Sequence, residues 1–472
     1  MTIPFNSKRT CGARKRVAML LLPLILGGCA SFSADGGFGS VEQFAKQRVG
    51  KDLTWQRSEN DMDTATKHVK ELLSSTLSVD DAVQIALLNN RGLQASFYEL
   101  GISESDFVQA GRLTNPGFTF SRLRQANETE IGRNIQFNIA RLLMMPYTRK
   151  MELRRFEQTK REVTMQMLSL ASDTRKTYYI ALAADQTKMY MLQVMKAAEA
   201  GAELARRLAQ AGNYNKLQQA REQGFYADAA LNLARAEQAQ TRSREKLTRL
   251  MGLWGSQTVF TLPARLPDLP KTPEEPVNLE QTAMSQRLDV QAARLGTEQL
   301  AKNLGLNKAT RFINVLEVGA VRNHFYAQPL QQGYTVTLEL PLFDWGGAKV
   351  AKAEAMYMQA LNRTAEIAVN ARSEVREAYL GYRSSYDIAR HYQDEIVPLK
   401  KRISEENQLR YNGMLIGVFD LLADARSQIA SVNSAIEANR DFWIAQADLE
   451  MSLLGRPSMN TGPMADMPSA SQ

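Results

Sequence analysis

Few residues in this chain are placed to do covalent chemistry. Its three histidines, His68, His324 and His391, stand far apart and lack the short spacing that metal ligands need. No glycine-rich phosphate loop and no nucleophile elbow occurs. The reading is a non-enzyme, with no catalytic residue, no metal site and no cofactor. Of the two cysteines, Cys11 and Cys29, only Cys29 has a context. It ends an apolar run, Val17 to Leu26, that follows the basic residues Lys8, Arg9, Arg14, Lys15 and Arg16. Such a run is too short to span a bilayer and reads as a signal peptide over 1–28.

The end of that run, Leu26-Gly27-Gly28-Cys29, resembles the lipobox of bacterial lipoproteins. Small residues fit the signal-peptidase site, and the Cys29 thiol is expected to receive diacylglycerol and its amine an acyl chain. Ala30 follows; an aspartate there tends to hold such proteins at the inner membrane, so alanine fits export to the outer membrane. The alternative is an ordinary secretory signal with a chance cysteine. On the first reading no thiol remains for a disulfide, a metal or a nucleophile. Five of the 58 basic and none of the 50 acidic residues leave with the signal, so the net charge falls from +8 to +3. Nucleic-acid binding is therefore not inferred from the charge.

The remainder must be built from long helices and a few strands. Hydrophobic residues make up 44% and charged residues 23%, which suits a folded chain, and sparse glycine and proline suit long uninterrupted helices. Residues 29–76 read as an extended lead behind the lipid anchor, with a short helix near 63–73. Ser78, with Asp80 and Asp81 behind it, suits a helix start. That helix breaks at Asn89-Asn90, and a second runs to about Leu113. Strands are expected at about 117–123 and 134–143, joined by a polar loop, 124–133. Pro146 then opens a helix to about Gln210, roughly 95 Å at 1.5 Å per residue. Ala211-Gly212-Asn213 turns it and Tyr214–Gly252 returns. The proline-rich stretch 256–277 reads as an outer strap.

The plan then repeats over 278–455: short helix, helix to about Arg311, strands at about 313–325 and 333–345, a very long helix to Asn412, a turn and a return. Leu93-Gln94-Ala95 matches Val290-Gln291-Ala292, Gly117 falls opposite Asn314, and the strand around Ile139 falls opposite Leu338, all at nearly the same offset along the chain. The same order of elements twice, over 77–255 and 278–455, implies two structural repeats. The tail, 456–472, reads as disordered.

In the fourth strand Tyr334, Val336, Leu338, Leu340 and Leu342 alternate with Thr335, Thr337 and Glu339. One reading is a half-buried strand of a soluble sandwich. The other is a barrel strand, apolar to lipid and polar to a wet lumen lined by Thr335, Thr337 and Glu339. Four strands cannot close a membrane barrel alone, and open edges cannot stand in lipid, so several chains would have to build it. On the return helix, Leu422, Ala425, Ile429, Val432 and Ile436 form one narrow seam. Val432, Ala435, Ala438, Phe442, Ala445, Leu449 and Leu453 form a second, as for a helix with neighbours on two sides. Pro398 should bend the last long helix.

Taken together, Leu77-Ser-Val-Asp-Asp-Ala-Val-Gln-Ile-Ala-Leu-Leu-Asn-Asn-Arg-Gly-Leu93, Asn115-Pro116, Pro341-Leu-Phe-Asp-Trp-Gly-Gly347, and the stretch from Arg410-Tyr411 to Asp420-Leu421-Leu422 resemble a TolC-type outer-membrane factor, in the lipoprotein branch used in tripartite efflux. The resemblance covers nearly all of the mature chain. It implies a mainly α fold with a membrane β-barrel: a homotrimer whose twelve-stranded barrel in outer-membrane lipid continues as a twelve-helix tunnel through the periplasm. It implies as partners a periplasmic adaptor protein and an inner-membrane pump of the RND type. The tunnel end would be built from the turns near Gly212 and Gly413. An aspartate after the second turn forms a constricting ring in this family, and Asp420, nine residues after Tyr411, matches it. The family's second aspartate position holds Ala423, with Asp424 next. The turn glycine position holds Met414, with Gly413 one place earlier, and the arginine of some members is Ile416. The implied gate is Tyr411, Asp420 and Asp424. The other reading of Asp420 is a carboxylate suited to the first turn of its helix.

Gly212, Asn213, Gly413, Met414, Leu415 and Ile416 are the expected tips that dock the adaptor, since Met414-Leu415-Ile416 is apolar and expected to be exposed. An efflux duct is the leading function; a conduit for type I protein secretion uses the same tunnel, and the lipid anchor favours efflux. Met144, Met145, Met165, Met167, Met189, Met191 and Met195 cluster in one half, which reads as adaptable packing and not as a metal relay.

Overall fold

The computed structural model describes residues 31–125, 128–312, 315–325, 328–339 and 341–457. The signal segment, Cys29 and nearly all of the tail lie outside the described residues. The chain divides into two compact units. One holds the strands and the helix segments 99–160 and 292–364; the other holds 38–98, 161–291 and 365–457.

The helix α4 (Arg91–Ala110) leads into β1 (Gly117–Gln125) and β2 (Glu128–Asn138), then α5 (Ile139–Gln210), and residues 99–160 of this run belong to the first unit. The counterpart is α8 (Leu288–Thr310), β3 (Leu316–Phe325), β4 (Gln331–Leu338) and α9 (Gly347–His391). The strands form one antiparallel sheet, in the order β1-β2-β3-β4. Gly117 pairs with Gln136, Glu130 with Phe325 and Gly319 with Thr335. Helix segments of this unit are tied by Thr159 to Ser103 at 3.2 Å, Arg154 to Glu298 at 3.3 Å and Thr297 to Thr364 at 2.8 Å.

Several boundaries differ from expectation, for local reasons. The supposed loop 124–133 is mostly strand, since β1 runs to Gln125 and β2 begins at Glu128. β2 ends at Asn138 and not at 143, and Ile139 opens the helix. Asn138 is a cap: its Oδ1 accepts from the Arg141 N–H at 2.8 Å. As the polar member of an alternating strand, it hides the helix start. Pro146 therefore sits inside a helix of 72 residues, about 110 Å long at 1.5 Å per residue. β4 stops at Leu338, ahead of Pro341, with one further bond from the Glu339 N–H to the Val315 carbonyl at 3.2 Å. Asn314 and Leu340 lie outside the described residues. At the joint into α9, Gly346 has φ 71° and passes so close to Arg311 that a β-carbon would lie 2.8 Å from its carbonyl oxygen.

The second unit begins with α1 (Phe38–Arg48), which the extended reading of the lead does not foresee. Its Val41 and Ala45 are buried. The segment after it is extended as expected, and two glutamines hold it like a borrowed strand. Gln84 exchanges hydrogen bonds with the Asp52 backbone at 3.2 and 2.9 Å. Gln94 takes the Gln56 N–H at 3.0 Å and gives to the Thr54 carbonyl at 2.8 Å. Both glutamines are buried, and the bonds meet the cost of burying a polar amide. Next come α2 (Glu59–Leu73) and α3 (Val79–Asn89). The expected cap at Ser78 is present, with the Asp81 N–H donating to its Oγ at 3.1 Å.

The return helix α6 (Lys216–Met251) ends on Gly252, and α11 (Val418–Leu454) is its counterpart. Leu77, Ile85, Tyr178, Leu182, Leu247, Phe260 and Ile436 share one core. Tyr382, Tyr386, Phe442 and Leu449 share another. The two seams read on α11 thus face different neighbours. The strap is stapled by side chains: Tyr386 donates to the Lys271 carbonyl at 2.9 Å, and Tyr382 accepts from the Glu274 N–H at 3.0 Å. Short helix α7 (Leu279–Gln286) follows it. Pro398, where a bend is expected, is preceded by a π-helical turn, Tyr392–Ile396, and is the second residue of α10 (Val397–Asn412). A widened turn removes the clash that proline makes with the preceding turn. Among the described residues no helix is long and apolar enough to cross a membrane.

Candidate functional site

Two surfaces carry the expected site residues: the helical turns in the second unit and the strand faces in the first. The turns share one backbone. After α5, the Asn213 N–H donates to the Leu208 carbonyl at 2.9 Å and the Gly212 N–H to Ala209 at 3.2 Å. After α10, the Leu415 N–H donates to Arg410 at 2.8 Å and the Met414 N–H to Tyr411 at 2.9 Å. This is a paired 6→1 and 5→2 helix stop, in which one residue takes the left-handed conformation. In the first turn that residue is Gly212, with φ 75°. In the second it is Met414, with φ 58°, while Gly413 has an ordinary φ of −80°. The equivalent of Gly212 in the second half is thus Met414.

The second turn is open to solvent as expected. Met414 is 93% and Leu415 77% exposed; Ile416 is half-buried. The helices that follow are capped differently. Asn215 and Gln218 form a reciprocal box, the Gln218 N–H to Asn215 Oδ1 at 2.8 Å and the Asn215 N–H to Gln218 Oε1 at 2.9 Å. Their counterparts are Gly417 and Asp420. The Asp420 carboxylate accepts from the Gly417 N–H at 3.3 Å, and Gly417 has no side chain to answer it. Asp420 is exposed, so the helix-cap reading of this residue is met by one long bond. Asp424 is half-buried and Tyr411 exposed.

One ion pair is not foreseen from the sequence, and it involves the position that matches Asp424. That position in the first hairpin, Glu222, is 2% exposed and accepts from the Arg426 guanidinium at 3.2 Å. Arg426 also stacks over Phe225 at 4.3 Å. Burial, with Glu222 and Tyr411 nearby, pushes the Tyr214 hydroxyl above its ordinary value. Matching the two halves turn to turn would have pointed to Glu222, since it then aligns with Asp424.

On the sheet the expected alternation holds. Tyr334, Val336 and Leu338 lie on one face with Phe118, Ile135, Phe137 and Val318, all exposed; Phe118 is 64% and Tyr334 82% exposed. Thr335 and Thr337 lie on the other face with Gln136, Asn134 and Glu317. Gly319 makes room there, since a β-carbon would sit 2.7 Å from the Thr335 hydroxyl and 2.8 Å from Asn134 Oδ1. Glu339 falls just beyond β4. Of the methionines, Met167 is buried in the core and Met189 is exposed. Among the described residues no cluster of metal-binding side chains occurs.

No protein-family model matches the sequence, and no curated protein matches it. Solved structures do. The CmeC outer membrane channel of Campylobacter jejuni superposes with a TM-score of 0.66 at 17% identity, over 80% of this chain and 85% of that one. The open state of the MtrE outer membrane channel of Neisseria gonorrhoeae gives 0.66 and 17%, over 80% and 90%. The outer membrane protein VceC of Vibrio cholerae gives 0.66 and 15%, over 80% and 96%. The chain therefore has the fold of these outer-membrane proteins, with long helices and four antiparallel strands in two hairpins. The resemblance to TolC-type outer-membrane factors holds at the level of fold.

Proposed function

We propose that this chain is the outer-membrane duct of a tripartite efflux system, passing substrates from an inner-membrane pump to the exterior. One observation carries the reading. A four-stranded sheet presents an exposed apolar face, a polar opposite face and two edges, β1 and β4, each with a single neighbour. Such a sheet is unstable alone in lipid or water. Three copies joined edge to edge make a closed barrel of twelve strands, with the apolar face to lipid and Thr335 and Thr337 toward the lumen. The long helices then continue the tube into the periplasm, and a lipid on Cys29 holds the assembly to the outer membrane.

At the helical turns, Met414, Leu415 and Ile416, with Gly413, Gly212 and Asn213, form the surface that meets a periplasmic adaptor, and an RND-type pump completes the assembly. Asp420, with Asp424 and Tyr411 near it, narrows the pore there, and a threefold set of Asp420 carboxylates favours cations.

The test combines purified protein and a deletion strain. Cysteines placed across the β1 and β4 edges should cross-link three chains, and the product should give stepwise conductance in planar bilayers. The deletion strain should gain sensitivity in a panel of metals, dyes and antibiotics. Loss of a secreted protein with unchanged sensitivity would replace efflux by type I secretion; absence of conductance would remove the channel reading altogether.

A further inference from the structure

The apolar face of the sheet does not stay apolar along its length. Two successive rows are Phe137–Val318–Val336 and Phe118–Ile135–Ala320–Tyr334. The next row toward the hairpin ends is Phe120–Arg133–Arg322–Gln332, and beyond it come Arg122–Ile131–His324 and then Arg124 beside Thr129. Arg122, Arg124, Arg133 and Arg322 are all exposed, and none makes an ion pair with another described residue. Arg133 and Arg322 are direct partners on neighbouring strands, where like charges destabilise a sheet. The acids of the same hairpin do not offset them. Glu128 and Glu130 differ from Arg133 by an odd number of residues and so lie on the opposite face. Alternate residues on one face are about 7 Å apart along a strand, so the guanidiniums begin one step past the aromatic row of Phe118 and Tyr334.

We propose that these arginines form a docking band for the phosphate groups of a phosphorylated glycolipid in the outer leaflet. The inference rests on the membrane-barrel reading. In that reading the strand ends joined to α4, α5, α8 and α9 face the periplasm, and the hairpin ends face outward. Charge complementarity selects the occupant. Arginine stays charged, and its planar fork matches phosphate oxygens two at a time. The row sits where an apolar band gives way to headgroups, with aromatic residues at the boundary. An anion between Arg133 and Arg322 offsets their repulsion, which no described side chain on that face does.

The experiment uses full-length protein in detergent, titrated with lipid A bearing its phosphates or with dephosphorylated lipid A, and read as binding to the assembled protein. The wild type should prefer the phosphorylated form. Arg133→Gln with Arg322→Gln should lose roughly 30-fold in that affinity, as expected for two arginines at an anionic surface. Arg133→Lys with Arg322→Lys, which keeps the charge, should stay within a few-fold of wild type. Equal binding of the two lipids, or an unaffected glutamine variant, would overturn the docking band. Inorganic phosphate bound alone with the same dependence on Arg133 and Arg322 would overturn it too, in favour of a free anion. Bilayer conductance of the same preparations separates the two levels. Wild-type channels without phosphate dependence remove only the docking band, whereas absence of channels removes the barrel reading and the band with it.

Discussion

At the end of α5 a glycine takes the left-handed conformation and a polar pair caps the next helix; at the matching end of α10 a methionine takes it and the cap is half made. Every local preference favours the first turn. A β-carbon in the left-handed region costs about 1–2 kcal/mol, and Gly212 avoids that cost while Met414 carries it. Met414 and Leu415 also leave large apolar surface in solvent, where Gly212 and Asn213 do not. Strain kept at one of two equivalent sites, on a side chain that is 93% exposed, is what the proposed docking of a partner at this turn would require. Both turns close a hairpin, and the second also exposes large apolar side chains.

The hairpin roots differ in a parallel way. Asn90 and Arg287 occupy matching helix starts in the two halves, and each reaches to the end of its own return helix. Asn90 Nδ2 donates to the Leu250 carbonyl at 2.9 Å, and Arg287 donates to the Ser452 carbonyl at 3.3 Å. Arg287 is 1% exposed and also holds Asp289 at 2.6 Å and Glu374 at 2.7 Å. Replacing it leaves Asp289 with the Val290 N–H at 2.9 Å and Glu374 with the more exposed Arg456 at 3.8 Å as their remaining partners. Arg287→Met should therefore cost ~3–5 kcal/mol, against ~1 kcal/mol for Asn90→Ala, which removes neutral hydrogen bonds. Thermal unfolding followed by circular dichroism measures both, and equal losses would erase the difference between the roots.

At the turns the effects are smaller and opposite in sign. Gly212→Met should cost ~1–2 kcal/mol and Met414→Gly should gain up to about 1 kcal/mol, seen as faster and slower amide exchange at the respective turns. The contact reading adds that the stabilised Met414→Gly protein loses efflux, and that Met414→Asp loses more while still forming trimers. Normal efflux with Met414→Asp would show that the strained turn has no partner.

Much of this is legible in the sequence because it rests on periodic patterns. The alternation at Tyr334–Leu338 separates the two sheet faces, and the repeated order of elements reveals the two halves. What stays hidden depends on side chains with two readings. Asn138 fits an alternating strand and a helix cap equally well, so the alternation carries β2 past its end. Arg133 falls in a stretch that reads as loop, so the arginine row is lost with it. Gln84 and Gln94 bond a segment far away along the chain, and nothing near them in sequence signals it. The resemblance puts Met414 at the turn glycine position, but the sequence does not say whether Met414 or the neighbouring Gly413 takes the left-handed conformation. The backbone angle of Met414 and the hydrogen bonds to Arg410 and Tyr411 show that it is Met414.

The finest distinction between the turns lies at Gln218 and Asp420. Both sit at the third helical position and both accept from the N–H at the cap, at 2.9 Å and 3.3 Å. Gln218 is answered by the Asn215 side chain and is fixed. Asp420 is answered by nothing, is exposed, and accepts a single long bond, so its loss should cost less than about 1 kcal/mol. If its place is set by the helix cap alone, Asp420→Ala and Gln218→Ala should leave conductance equally unchanged. If three Asp420 carboxylates face one another across a pore, Asp420→Ala should raise conductance and weaken block by divalent cations in planar bilayers, and Gln218→Ala should do neither. The pair of substitutions thus separates a charge kept for the helix from a charge kept for the pore, at two positions that share one backbone.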